Sequence, residues 1–277
     1  MLSDPTSNAA LEPHIVVEDL TMAYGDFVIQ HDLNFTINKG DIFIIMGGSG
    51  CGKSTLLRHL VGLQAPARGR VLFSGESLWE AQPERRDAIL RKCRESVATK
   101  EKFFADNADR VVTCCTAMAR AFDAGGRLFV MGNGGSSCDA AHVAVEFMHP
   151  IIEKRPALPA IALNTDTAIL TAVGNDQDFS LAYVQQLRML ARKGDMALGI
   201  STSGKSANIN RALQAAREIG LLTVGFSGRD GGRMLEHCDW CFTVPSFSIH
   251  RIQETHETLL HVLWDMIHVI RGEEDVI

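Results

Sequence analysis

Residues 128–146 read LFVMGNGGSSCDAAHVAVE, and residues 196–206 read MALGISTSGKS. Each is an apolar run of strand length that breaks directly into a Gly/Ser loop and then into a helical pattern. A strand feeding a loop and a helix is half of a βαβ unit, and two such units in one chain imply parallel pairing. Working outward, apolar runs at 127–131, 158–163, 196–201, 221–226 and 240–244 alternate with helical patterns near 138–149, 166–174, 179–192, 206–219 and 249–271. Val97, Phe103, Phe104, Val111, Val112, Ala117 and Met118 recur at helical spacing and predict a helix over 96–123. The expectation is an α/β fold, a parallel sheet flanked by helices in a Rossmann-like three-layer arrangement.

The rest of the chain is bounded by simple quantities. Its 277 residues are 22% charged and 46% hydrophobic, with a formal net charge of −6. That length allows one large domain or two small ones. The mild acidity argues against nucleic acid as a partner, since no basic excess is present to hold phosphate backbones. No apolar run approaches the roughly 20 residues of a membrane-spanning helix, and the first residues lack the basic-then-apolar order of a signal peptide. Seven cysteines, an odd number in a chain of this size, fit a reducing cytoplasm better than a disulfide framework. Cys238-Asp-Trp-Cys241 supplies only two of the four ligands zinc usually takes and is read as packing.

The two Gly/Ser loops carry the first chemistry. Neither is a GxGxxG dinucleotide fingerprint. Ser201, Thr202, Ser203 and Ser206 put four hydroxyls within six residues at a helix start, where hydroxyls, free N–H groups and the helix dipole all favour a phosphate monoester. Capping alone would also use such residues, but two loops of this kind favour the phosphate reading. On the helix after the first loop, His142 and Glu146 are four apart and share a face. Gln253 and His261 lie eight apart on the last helix, so the two helices together could offer a four-ligand site. A single helical histidine is more often plain surface or core.

A different motif lies near the N-terminus. Gly47-Gly-Ser-Gly-Cys-Gly52-Lys53-Ser54 satisfies GxxxxGK[ST], with Thr55 next. Strands are expected at 14–20, 27–37 and 70–74, with a buried strand at 41–46 directly before the loop and a helix over 52–63. In that context Gly47 and Gly52 let backbone N–H groups converge on phosphates, Lys53 reaches the β/γ-phosphates and Ser54 holds Mg²⁺. With Leu20-Thr-Met-Ala-Tyr24-Gly before it and Gly69-Arg-Val-Leu-Phe-Ser-Gly75 after it, the segment resembles the start of an ABC transporter ATPase subunit over residues 14–80. The resemblance implies that Tyr24 stacks on adenine. No glutamine loop, LSGGQ-type signature, Asp-Glu-ended strand or histidine switch follows. ATP or ADP binding with Mg²⁺ is therefore the most that is expected, because hydrolysis needs several positioning elements at once.

The second half carries a fuller resemblance. Residues 129–146, Val173-Gly-Asn175-Asp176, residues 199–206 and Arg251-Ile-Gln253-Glu-Thr-His-Glu-Thr-Leu-Leu-His261 together resemble the phosphoheptose isomerases of the SIS (sugar isomerase) domain family, over about 95–272. The resemblance implies an SIS-type sheet and division into an ABC-like segment at 1–85 and an SIS domain at 86–277. It implies His142, Glu146, Gln253 and His261 as ligands of one zinc ion. It implies Asn133, Gly134, Gly135, Ser136, Glu146, Asn175, Asp176, Ser201, Thr202, Ser203, Ser206 and Gln253 as substrate contacts, and Glu146 and His261 as the catalytic base and acid. The implied substrate is the phosphorylated seven-carbon sugar sedoheptulose 7-phosphate, and the implied assembly a homotetramer. Lys205 departs from the small polar residue expected at its position.

Overall fold

The computed structural model describes residues 12–275, apart from 26, 78, 80–82 and 152–153. The chain divides into two compact units, residues 1–90 and 91–277.

In the first unit, β1 (Pro13–Tyr24) pairs antiparallel with β2 (Phe27–Asn38) and β3 (Arg68–Phe73), and β4 (Glu76–Ser77) pairs antiparallel with β3. The strand order is β2-β1-β3-β4. Helix α1 (Lys53–Leu60) lays Leu56 and Leu60 on Val17, Leu20, Met22 and Val71 to close a small apolar core.

Residues 41–46 depart from expectation. They form no strand, and Ile42, Ile44 and Met46 are 92%, 70% and 84% exposed. The intervening Phe43 stacks on Phe35, and Ile45 packs against the small core. Period-two alternation is thus retained, with one face inward and one bare. A buried parallel strand needs partners on its edges and helices on both faces, and among the described residues of this unit the only sheet is the antiparallel one.

Helix α2 (Pro83–Asp123) is continuous for 41 residues and starts well before the predicted 96. It leads into β5 (Leu128–Gly132), α3 (Gly135–Met148), β6 (Ala160–Ala162), α4 (Thr167–Asp176), α5 (Ala182–Leu190), β7 (Met196–Ser201), α6 (Ala207–Ile219), β8 (Leu222–Gly228), β9 (Trp240–Val244) and α7 (Ile249–Ile270). The five strands pair parallel in the order β6-β5-β7-β8-β9.

Alternation along β5 explains the layers. Leu128 and Val130 enter a core with Phe103 and Cys114 of α2, Ala140 of α3 and Leu259 of α7. Phe129 and Met131 point to the other face and pack with Leu187 of α5 and Leu213 of α6. The apolar run is continuous because both sides are covered. Helix α7 is tied to the sheet by the buried His256, whose Nε2–H donates to the Ser227 carbonyl at 2.9 Å. Burial holds this ring neutral and lowers its pKa from 6.5 to about 4.

Two outcomes test this description. Ile44→Lys should leave amide exchange protection of β1 and β3 within about 0.5 kcal/mol of the parent, whereas Leu20→Ala, at a fully buried position, should lower it by about 2–5 kcal/mol. A large loss in Ile44→Lys would mean that residues 41–46 are buried after all. For His256, the unfolded chain takes up its proton near pH 6.5 and the folded chain only near 4. The stabilising contribution is complete above pH 6.5 and is lost as the pH falls, by about 3 kcal/mol below pH 4. Urea midpoints across that range should show the slope, and His256→Gln should flatten it.

Candidate functional site

The sheet runs outward from β5 in two directions. The chain leaves β5 to β6 on one side and returns to β7 on the other, so the carboxyl ends of β5 and β7 flank a topological switch point, where α/β sheets open a crevice. Gly132 at the end of β5 is in register with Ile200, next to the end of β7. Both Gly/Ser loops leave from this crevice.

The first loop turns sharply. Gly134 has φ 57° and ψ −126°, a conformation essentially closed to residues with a Cβ. A Cβ on Gly132 would lie 2.0 Å from the Ser136 carbonyl oxygen, so only glycine lets α3 begin so close to the strand. Tyr183 donates its hydroxyl to the Gly132 carbonyl at 2.6 Å, and Ser137 Oγ donates to the Gly134 carbonyl at 2.6 Å. In the second loop, Ser201 Oγ and Ser206 Oγ are 2.9 Å apart. The side-chain amides of Asn133 and Asn208 exchange reciprocal hydrogen bonds of 2.9 and 2.8 Å and join the two loops. Ser136 and Ser201 are buried, while Thr202, Ser203 and Ser206 are half-buried. Lys205 is exposed and pairs with Asp230 at 3.1 Å, which spends its charge at the surface.

Two turns along α3 the chemistry changes. His142, Glu146 and His261 bring one nitrogen or oxygen each within 4.8 Å of one another. His142 Nε2 is 3.2 Å from Glu146 Oε1, and the rings of His142 and His261 meet edge to face at 4.9 Å. Two imidazoles and a carboxylate suit a borderline cation such as zinc, so the side chains present fit a metal. Gln253 lies against the start of α3, where a Cβ on Gly135 would meet its Nε2 at 2.2 Å. No hydrogen bond joins Gln253 to His142, Glu146 or His261 among the described residues. Asn175 and Asp176 are exposed at the end of α4 and hydrogen-bond to each other at 2.7 Å.

Three residues complete the site without having been expected. Glu257 Oε2 lies 3.0 Å from His142 Nδ1. A proton on Nδ1 donated to Glu257 leaves Nε2 free as a ligand. Burial, and then the neighbouring Glu257 carboxyl, raise the Asp139 pKa from 3.8 to about 7. Asn208 is the bridge between loops. Spacing held a signal for Glu257, since 253, 257 and 261 are successive positions on one helical face. Asp139 likewise precedes His142 by three. Asn208 carried none.

In the first unit, Lys53 Nζ donates to the carbonyls of Gly47 at 2.8 Å and Gly48 at 2.6 Å. Tyr24, Ser49, Gly50, Gly52, Lys53, Ser54 and Thr55 line one open groove of about 600 Å³. Gly47 is outside that lining.

Two family models match the chain, and they overlap over residues 93–148. The SIS domain model matches residues 93–228, and the ABC transporter model matches residues 30–148, further along the chain than the resemblance at 14–80. The phosphoheptose isomerase of Thermodesulfovibrio yellowstonii is 42% identical over 187 residues, 68% of this chain and 93% of that protein. That of Aquifex aeolicus is 42% identical over 181 residues, 65% of this chain and 95% of that protein. The phosphoheptose isomerase structure from Francisella tularensis superposes with TM-score 0.64 at 32% identity, covering 67% of this chain and 98% of that one. The Neisseria gonorrhoeae structure superposes with TM-score 0.62 at 36% identity, covering 66% and 97%. The fold and crevice define an SIS-type sugar isomerase domain. More narrowly, the chain belongs to the phosphoheptose isomerase family.

Glu257→Ala should weaken zinc binding by about 10- to 100-fold, read by titration with a competing chromophoric chelator. Unchanged affinity would remove Glu257 from any role in orienting His142.

Proposed function

We propose that residues 86–277 interconvert sedoheptulose 7-phosphate and D-glycero-D-manno-heptose 7-phosphate by proton transfer through an enediol. The observation that carries this reading is the placement of two acid–base groups, Glu146 and His261, beyond a crevice lined with phosphate donors. Ser136 and His142 are six residues apart on α3, about 9 Å along its axis, which suits a substrate that carries its phosphate at one end and its carbonyl at the other.

Ser201, Thr202, Ser203 and Ser206, with the free N–H groups at the starts of α3 and α6, would hold the phosphate and so fix the distant carbons. Glu146 would take the proton from C1 of the ketose while His261 protonates the C2 oxygen. The enediol would then collapse the other way: Glu146 returns the proton to C2, and His261 removes one from the C1 hydroxyl. We assign His142, Glu146, Gln253 and His261 as zinc ligands; a bound zinc ion would polarise the carbonyl and stabilise the developing oxyanion. Asn133, Gly134, Gly135, Asn175, Asp176 and Gln253 would complete the contacts to the sugar. Asn175 and Asp176 are exposed at the end of α4 in this chain, which fits a site completed between subunits of a homotetramer. A cytoplasmic setting and supply of heptose to lipopolysaccharide or related glycans go with this reading.

For residues 1–85 the narrower reading is nucleotide binding without hydrolysis, favoured by the groove that Tyr24 shares with Lys53, Ser54 and Thr55.

Glu146→Gln should lower turnover of sedoheptulose 7-phosphate by about 10²- to 10⁴-fold while sugar-phosphate binding persists, and Ser201→Ala should act chiefly on KM. Absence of turnover by the zinc-loaded parent, with sugar-phosphate binding intact, would point to a sensing role in place of catalysis.

A further inference from the structure

Cys238 and Cys241 are a pair of nucleophiles that the proposed isomerisation leaves unused. Cys238 follows a 3₁₀ turn at Gly232–Glu236, and Cys241 lies in β9 with Gly225 of β8 as its register partner. Register partners on neighbouring parallel strands project to the same face. Gly225 brings no side chain there, and the space is taken by sulfur: a Cβ at 225 would lie 2.7 Å from Cys238 Sγ and 2.8 Å from Met234 Sδ. Both cysteines join the same apolar cluster, Cys241 buried within it and Cys238 at its edge. The two thiols therefore share one pocket above Gly225.

The backbone between them is pinned. Asp239 N–H donates to the Thr223 carbonyl at 2.9 Å, and Asp239 Oδ2 accepts from Thr223 N–H at 2.8 Å and from its hydroxyl at 3.0 Å. Cys241 Sγ also has the Ser227 hydroxyl at 3.4 Å. Cys238 above all, then Ser227 and Thr243, favour the Cys241 thiolate against its burial and bring its pKa down from 9.0 to about 7. A structural zinc site would need two more ligands; among the described residues the one cluster able to hold a metal is that of His142, Glu146 and His261.

We propose that Cys238 and Cys241 are a redox-active dithiol that closes to an intramolecular disulfide when a low-molecular-weight disulfide is the oxidant. The hydrogen bond to Cys241 and burial hold the proton on the half-buried Cys238, so Cys238 passes that proton to the Cys241 thiolate as its sulfur attacks the oxidant, forming a mixed disulfide and expelling one thiolate. Cys241 then gives its proton to the expelled thiolate and attacks Cys238 Sγ, forming the Cys238–Cys241 bond and expelling the second thiolate. The two protons given up by the cysteines end on the two expelled thiols, and the two electrons lost by the cysteines reduce the oxidant.

The test equilibrates the full chain with glutathione at increasing oxidised-to-reduced ratio, quenches in acid, denatures, labels free thiols with N-ethylmaleimide and maps the peptides by mass. The expected result is a peptide spanning 238–241 that carries no label and no glutathione and is two hydrogens lighter than its reduced form. In Cys241→Ser the same treatment should stop at glutathione on Cys238. The proposal is overturned if both parent cysteines still label fully in oxidised glutathione, or if the parent stops at the mixed disulfide as the variant does. The parent measurement decides the matter even if the variant fails to fold.

Discussion

Everything functional in the second unit depends on the pairing of β5 with β7. Because β6 lies on the far side of β5, the chain must cross back to reach β7, and that crossing sets two helix-opening loops side by side at one sheet edge. Neither loop is a site alone. Each presents hydroxyls at a helix start, and only the shared edge brings the two sets together. The reciprocal amide bonds of Asn133 and Asn208 hold the two loops at a fixed separation. The stiffness of the pair comes from below, where alternate residues of β5 are fully buried on opposite faces of the sheet.

A second pairing, α3 against α7, gathers the titratable side chains. The helices contribute faces with related spacing: Asp139, His142 and Glu146 on one, Gln253, Glu257 and His261 on the other. Where they meet, an imidazole lies between two carboxylates, Glu146 on Nε2 and Glu257 on Nδ1. Such a histidine is orientationally fixed, because rotating the ring would break both contacts. Asp139 adds a third acid behind it, and burial together with Glu257 raises its pKa to about 7. A concentration of negative charge balanced by so little positive charge is what a cation would relieve. The histidine that anchors α7 to β8, by contrast, is kept neutral by its complete burial.

The alternation of strands and helices after residue 127 was legible because the apolar runs are continuous and two of them end in Gly/Ser loops; Met196–Ser201 and Trp240–Val244 have the boundaries expected of them. Local spacing also pointed to His142 with Glu146, and the structure brings His261 to them. Glu257 was harder, since a glutamate on a solvated helix face looks the same in sequence whether or not a histidine from another helix approaches it. Asn208 depends on a contact across 75 residues, which no local pattern encodes. The expectation for 41–46 failed for a related reason. An apolar run of strand length shows that a segment would be stable between two neighbours, and says nothing of whether the neighbours exist.

That distinction separates the two halves of the chain. A phosphate loop is a local object: glycines, a lysine and a helix start suffice to form it, and Lys53 closes on Gly47 and Gly48 here without a strand before it. The activity usually built on such a loop is not local, because water and metal must be placed by residues from several strands of a common sheet. The isomerase unit has a sheet of that kind, five parallel strands with Gly/Ser loops at the neighbouring carboxyl ends of β5 and β7. The first unit has four antiparallel strands, one short helix and the opening turns of α2 among its described residues. It can shape a groove beside Tyr24, but its sheet offers no neighbouring parallel strand from which a second catalytic group could reach that groove. A motif gives a loop its shape, but sheet topology sets which other residues can reach it.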